Sequence, residues 1–445
     1  AMMWLPNFRQ SDDLRIRDGF LIVVLFWLVL ALSGALPFML SDRPTMTVVD
    51  AVFESMSGLT TTGATVLSGL DDLPRSILYY RQQLQWLGGM GIIVLAVAIA
   101  PVLGVGGMQL FRAETPGPMK DKLTPRITQT AKALWFIYFG LTIICAAAYY
   151  IAGMSLFDAI GHSFSTLAIG GFSTHDDSIG YFANPAIDII AMVFMLIAGI
   201  NFSLHYLAIH RRSLSRYMRD SEVKAYLLIL LCLSLITITL LIYESTFDNN
   251  SEAIRHGLFQ VISIATTTGF TTSDFSYWPG LLPVLLIIGS FIGGCAGSTS
   301  VGMIVVRVEL LLRQGRREIN RLLHPNAILQ IKLNKRPVPD NVVNAVWGFF
   351  ALYVISFVSL GLLVMLTGED IVTAFSATAA CLNNLGPLSS VARTLSAAGD
   401  APAEQQQVHR RADELHAVHF FCPDGGRYEV SSDGRQVTCS VHGSA

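Results

Sequence analysis

Four short loops of matching sequence recur along this chain, each behind a short apolar stretch and each with glycine as its sixth residue. Stacked column for column they read GLTTTGAT (58–65), TLAIGGFS (166–173), IATTTGFT (264–271) and CLNNLGPL (381–388), which aligns Gly63, Gly171, Gly269 and Gly386. Successive glycines lie roughly 100 residues apart, too regular for chance and too long for a solenoid repeat. Few folds need four equivalent backbone loops. A filter in which rings of peptide carbonyls replace an ion's water is one that does.

Composition places those loops in a membrane. The chain has 445 residues, 52% hydrophobic and 14% charged, where a soluble domain carries about 25% charged residues. Apolar runs near 20–40, 78–103, 133–152, 186–209, 225–243, 281–312 and 342–366 reach the roughly 20 residues that a spanning helix needs. The first follows Arg15, Arg17 and Asp18 and is too long for the apolar part of a cleavable signal. Basic residues crowd the stretches 112–132, 211–224 and 307–336, whereas 153–183 has no Lys or Arg and holds Asp158, Asp176 and Asp177. That bias puts the basic loops and the N-terminus in the cytoplasm and opens all four glycine loops outward. The net charge of −2 argues neither for nor against nucleic acid, and no nucleic-acid partner is expected.

The reading is therefore an all-α integral membrane protein of four repeats: spanning helix, short re-entrant helix, glycine loop, spanning helix. Its divisions are a cytoplasmic segment 1–19, repeat 1 at 20–104, a loop 105–132, repeat 2 at 133–210 and a loop 211–224. Repeat 3, with a broken helix, takes 225–312. A loop 313–341 and a partial repeat 4 at 342–387 precede an atypical polar tail, 388–445. The re-entrant pieces fall at 47–59, 156–167, 251–265 and 371–382, too short to cross a bilayer. Non-helical backbone at that depth is tolerated where it is buried in protein or lines a wet cavity. Glycine permits the positive φ and close approach this requires. No carboxylate lies inside any loop, which disfavours a divalent-cation cage.

SGLTTTGAT, YYRQQLQWLGGMGIIVLAVAI, FSTLAIGGFSTHD, ATTTGFTT, SFIGGCAGST, VWGFF and ATAACLNNLGP together resemble the membrane subunits of Trk-type potassium uptake systems, the TrkH family of the Trk/Ktr/HKT superfamily, from about Trp4 to Pro387. The resemblance implies potassium as the transported ion, bound by carbonyls of Thr61 and Thr62, Ile169 and Gly170, Thr267 and Thr268, and Asn384 and Leu385, each pair preceding its glycine. It implies a bacterial inner-membrane protein, homodimeric, gated by a cytosolic ring of nucleotide-binding TrkA-type subunits. Sodium-passing relatives can carry serine at the first glycine, so Gly63 implies potassium selectivity. The interruption GGCAGSTSVG (293–302) corresponds to the family's intramembrane gate, with Gly293, Gly294, Gly297, Ser298, Thr299 and Gly302 at its turns. Ser300, Val301 and Ile304 depart from the glycines and lysine usual there. Alternatively, Gly293 and Gly297 form a small-residue helix-packing face. Arg81, at the outer start of the second span, either opposes surplus cations or, as the preferred reading, snorkels to the interface, and His162, His205, His210 and His256 read as scattered polar positions.

After Pro387 the resemblance fails. The polar stretch that follows cannot span, the extra helices usual before Phe20 are missing, and the expectation is a truncated, chimeric or frame-disrupted chain whose fourth repeat lacks a wall. In the tail, alternation at 426–430 and 436–440 suggests a small β-hairpin. Cys422 and Cys439 either form a disulfide across it or, with His419 and His442, a zinc set. Competing functions are a secondary transporter of another monovalent cation and a non-conducting membrane protein. No membrane segment combines a nucleophile, a base and oxyanion donors, so an enzyme is disfavoured.

Overall fold

The structure is a computed structural model that describes residues 16–94, 127–275, 278–324, 327, 329–334 and 336–386, with strands Tyr428–Val430, Val437–Cys439 and Gly443–Ser444. Among these residues the fold is almost entirely helical. The first group comprises α1 (Ile16–Gly34), α2 (Leu36–Met39), α3 (Val48–Leu59) and α4 (Arg75–Val94). The second comprises α5 (Ile127–Ile151), α6 (Leu156–Ala168), α7 (Pro185–Ala198) and α8 (Phe202–His210). After α9 (Ser215–Arg219) come α10 (Ser221–Tyr243), α11 (Asn250–Ala265), α12 (Leu282–Ser290) and α13 (Val305–Leu323), then α14 (Asp340–Met365) and α15 (Ile371–Asn383). Three helices, Ala131–Ile151, Ser221–Tyr243 and Asp340–Met365, are long and apolar enough to cross a membrane, or four spans if α7 and α8 count as one.

The short helices α3, α6 and α15 are started by local chemistry. Thr47 Oγ1 accepts from the Asp50 N–H at 3.2 Å, Ser155 Oγ from Asp158 N–H at 3.1 Å, and the Asp370 carboxylate from the Val372 and Thr373 N–H groups. Each cap satisfies donors that have no partner inside the helix. The helix α3 then packs between α1 and α4 around Ala31, Phe38, Ala51 and Leu84. The second group closes a larger core containing Tyr138, Tyr149, Met195 and Phe202.

Glycines on α4 set how closely the short helices approach it. A methyl on Gly88 would lie 1.9 Å from the Leu59 carbonyl oxygen, and one on Gly89 2.9 Å from the Ala168 Cα. Two short-helix C-termini thus press on neighbouring residues of one helix. Beside them Trp86 stacks on Tyr138 and Phe164 and donates to Thr142 Oγ1 at 3.1 Å.

Two helices break. The continuous span expected over 186–209 is instead α7 and α8, bent by 93°. Asn201 restarts the chain by accepting from the Ser203 N–H at 2.8 Å, and another segment's backbone fills the gap: Cys295 N–H donates to Gly199 O at 2.8 Å and Phe202 N–H to Gly297 O at 3.0 Å. The second break separates α12 from α13. Gly293, Gly297 and Gly302 there have φ of 73°, 76° and 94°, and a methyl on Gly293 would sit 2.2 Å from the Val301 carbonyl oxygen.

On the polar side, strands β1 (Lys332–Leu333) and β2 (Arg336–Pro337) pair antiparallel. In the tail, β3 (Tyr428–Val430) pairs with β4 (Val437–Cys439), which pairs with β5 (Gly443–Ser444). Cys422, and the disulfide and zinc alternatives that need it, lie outside the described residues.

Gly88→Ala should lower stability by about 3 kcal/mol or more, because its methyl meets backbone. Gly91→Ala meets only the edge of Trp27, at 3.3 Å, and should cost far less. Thermal unfolding of the purified variants in detergent compares the two.

Candidate ion-conducting site

Each of the four short helices ends in the same way. The residue two before the aligned glycine adopts a left-handed conformation: Thr61 (φ 59°), Ile169 (φ 54°), Thr267 (φ 68°) and Asn384 (φ 51°). The next N–H reaches back to the carbonyl five residues earlier: Thr62 to Ser57 at 2.8 Å, Gly170 to Ser165 at 2.9 Å, Thr268 to Ser263 at 2.8 Å and Leu385 to Ala380 at 2.8 Å. This bond closes the helix and turns the chain sharply away from it. Left-handed Thr and Ile are costly, because a branched Cβ crowds the backbone. Strain repeated at one position of each loop marks a constrained site.

The loops meet one another. A methyl on Gly63 would lie 2.0 Å from Gly170 O, one on Gly171 2.2 Å from Thr268 O, and one on Gly386 2.1 Å from Gly63 O. Loop 1 therefore abuts loops 2 and 4, and loop 2 abuts loop 3, all through bare glycine. Gly63, Gly171, Gly269 and Gly386 line a single cavity of about 120 Å³, along with Thr65, Arg81, Ser173 and Asp176. The helices α3, α6, α11 and α15 end at Leu59, Ala168, Ala265 and Asn383, shortly before these glycines, and each C-terminus carries partial negative charge.

Polar side chains brace the loops from behind. Nine residues before the glycine stand Glu54, His162, Gln260 and Ala377. Glu54 accepts from Thr65 Oγ1 at 2.9 Å and from Val66 N–H at 3.2 Å. His162 Nε2 lies 2.9 Å from Ser173 Oγ, and Gln260 donates to Ser273 O at 2.6 Å. The fourth loop has alanine at that position and is held by asparagines. Asn384 Nδ2 donates to Thr60 O at 3.0 Å and its Oδ1 accepts from Thr62 Oγ1 at 3.1 Å, while Asn383 Nδ2 donates to Ser290 Oγ at 3.1 Å. Stacking the loops' upstream columns exposes Glu54, His162 and Gln260; their buried polarity was the overlooked signal.

Arg81 does not snorkel. Its side chain is fully buried and paired with the equally buried Glu54, Nε to Oε1 at 2.6 Å. It also donates to Thr65 Oγ1 at 3.0 Å and to Ser173 O at 3.3 Å, and lies 4.2 Å from the Phe172 ring centre. It thereby ties the exits of loops 1 and 2 together, and Glu54 cancels its charge beside the cavity. Gln85 adds a two-point brace, donating to Gly170 O at 2.6 Å and accepting from Phe172 N–H at 3.1 Å. The Gly170 carbonyl, one of those the family resemblance assigns to the ion, thus already accepts from an amide. At the outer rim Asp176 accepts from Leu70 N–H at 2.8 Å, and burial pushes its carboxyl above the ordinary value.

The residues proposed as a gate lie directly against the loops. Ser300 Oγ donates to Thr266 O at 2.6 Å, Val301 N–H to Thr267 Oγ1 at 3.2 Å, and Thr299 Oγ1 to Leu167 O at 3.0 Å. Gly293, Gly294, Ser298 and Thr299 are buried; Gly297 and Gly302 are half-buried. Among the described residues no group of three or more His, Cys, Asp or Glu is placed to hold a metal.

Removing one partner of a buried ion pair strands the other, at a cost of about 3–5 kcal/mol. Glu54→Gln and Arg81→Met should each lower the unfolding temperature, and the double variant should lose less than the two combined. Thermal melts across this double-mutant cycle measure the coupling.

Comparison with known proteins identifies the family. The family model TrkH, described as a cation transport protein, matches residues 1–398, running on past Pro387. The chain is 58% identical over 388 residues to the Trk system potassium uptake protein TrkH of Halomonas elongata, covering 87% of this chain and 80% of that one. It is 43% identical over 384 residues to the Trk system potassium uptake protein TrkG of Escherichia coli, covering 86% of this chain and 79% of that one. The crystal structure of the potassium transporter TrkH from Vibrio parahaemolyticus superposes with a TM-score of 0.80 at 54% identity, covering 88% of this chain and 81% of the other. This chain belongs to the TrkH family of cation transport proteins.

Proposed function

We propose that this chain conducts potassium ions into the cell through a filter formed by its four glycine loops. The observation that carries the reading is the single cavity lined by Gly63, Gly171, Gly269 and Gly386. A monovalent cation arriving there passes between the glycines and exchanges its water for the peptide oxygens just before them in each loop, those of Thr61 and Thr62, Ile169 and Gly170, Thr267 and Thr268, and Asn384 and Leu385. Carbonyls bind strongly enough to replace hydration and weakly enough to release the ion. Four helix C-termini add a field favouring cations without the tight trapping of a carboxylate. The Thr61 hydroxyl is buried without a hydrogen-bond partner among the described residues, which leaves its oxygen free for an ion.

The stretch 293–302 is the gate in this reading. It sits beneath loops 2 and 3, and its glycines let the backbone rearrange without side-chain clashes. The relatives' description as parts of a Trk system and the basic stretches 211–224 and 307–336 support a cytosolic TrkA-type regulator, and the family resemblance supports a homodimer in the bacterial inner membrane. Potassium is cargo here, not a resident cofactor.

Rubidium-86 uptake into proteoliposomes tests the filter. Gly63→Ser places a side chain 2.0 Å from Gly170 O, so it should cut rubidium flux and lower the rubidium-to-sodium ratio by roughly tenfold or more. A variant that keeps both flux and selectivity would overturn the filter.

A further inference from the structure

The gate stretch is held from its inner side by a carboxylate that the filter does not require. Three consecutive residues of the stretch are anchored separately. Cys295 N–H donates to Gly199 O at 2.8 Å, Ala296 N–H to Glu222 Oε1 at 2.6 Å, and Gly297 O accepts from Phe202 N–H at 3.0 Å. The outer two bonds run to the backbone break between α7 and α8. The middle one runs to a side chain, and Glu222 is only 5% exposed.

Glu222 owes its position to the polar surface. It lies in the first turn of α10, whose N-cap Asp220 accepts from Glu222 N–H at 3.0 Å and Val223 N–H at 3.1 Å. Asn334, in the turn between β1 and β2, clasps that cap. Its Oδ1 accepts from Ser221 N–H at 2.8 Å and its Nδ2 donates to Asp220 Oδ2 at 3.3 Å. Asn334 itself stands at φ 46°, a conformation asparagine tolerates better than most residues. A line of bonds therefore joins Asn334, between β1 and β2, to a backbone N–H of the gate stretch: Asn334, Asp220, Glu222, Ala296.

We infer that Glu222 is a positioning residue that latches the gate stretch closed, and that Asn334 couples that latch to the hairpin on the basic, inner surface. This inference rests on the gate reading above. A regulator that shifts the hairpin would move the α10 cap and, through it, the acceptor that holds Ala296. The latch acts by accepting a hydrogen bond, so a neutral acceptor of the same shape should serve.

Cys295 supplies a readout independent of transport. It is a buried cysteine (1% exposed) next to the latched residue. In the full-length chain reconstituted in nanodiscs, with its other cysteines replaced by alanine, the rate of Cys295 modification by a small thiol reagent reports opening of the stretch. Glu222→Ala should raise that rate roughly tenfold by removing the acceptor of a backbone N–H. Glu222→Gln, which keeps an oxygen there, should leave it near the parent value. Asn334→Gly keeps the turn, removes only the amide contacts, and should raise the rate at a distance.

Unchanged labelling in Glu222→Ala and Asn334→Gly would overturn the latch. Labelling raised equally in Glu222→Gln would also overturn it, since the acceptor would then be irrelevant. Rubidium flux in the same samples separates the two ideas. Faster labelling without altered flux upholds the latch and removes the stretch as the gate.

Discussion

The whole arrangement depends on backbone meeting backbone at the centre of the protein. Where loop 1 touches loop 2, and loop 2 touches loop 3, the distance left for a Cβ is about 2 Å. Any side chain at those positions would force the loops apart and widen the space they enclose. Glycine thus serves as a spacer of minimum thickness, and the 120 Å³ cavity is the volume that remains. Family membership follows from similarity, but the geometry gives the physical reason the motif cannot drift.

Such loops cannot hold themselves. Each ends a short helix in a left-handed turn that three of the four make with a β-branched residue, so the surrounding side chains must impose the shape. Glu54 with Arg81, Gln85, His162 and Gln260 do so from behind the loops, as buried polar groups with specific partners. Burying an ion pair rarely adds stability over apolar packing; here it fixes the relative position of two loop exits. The neighbouring cation is neutralised by its carboxylate, so it does not repel arriving ions. The break between α7 and α8 and the stretch 291–304 fit together by the same logic, each supplying backbone partners that the other lacks.

Much of this was legible in sequence. The short helices appear within a residue or so of their expected bounds, because caps at Thr47, Ser155 and Asp370 and the glycines ahead bracket them tightly. The break near 293–302 was legible for a similar reason, since Gly293, Gly297 and Gly302 punctuate an apolar run. The 93° bend after Ala198 was not. Beyond the local cap at Asn201, the bend is held by backbone partners at Cys295 and Gly297, far away in sequence, which no local pattern displays. Arg81 was misread because a basic residue at the end of an apolar run looks identical whether it reaches for water or for a buried Glu54. Only the partner, contributed by another helix, decides between them.

The central claim is that an ion sits where the four loops converge. Anomalous scattering from crystals grown in rubidium tests it most directly. The account predicts one or more rubidium peaks on the axis enclosed by Gly63, Gly171, Gly269 and Gly386, ringed by the peptide oxygens immediately before them. Rubidium found only among the outer carboxylates, with no peak between the glycine loops, would contradict it.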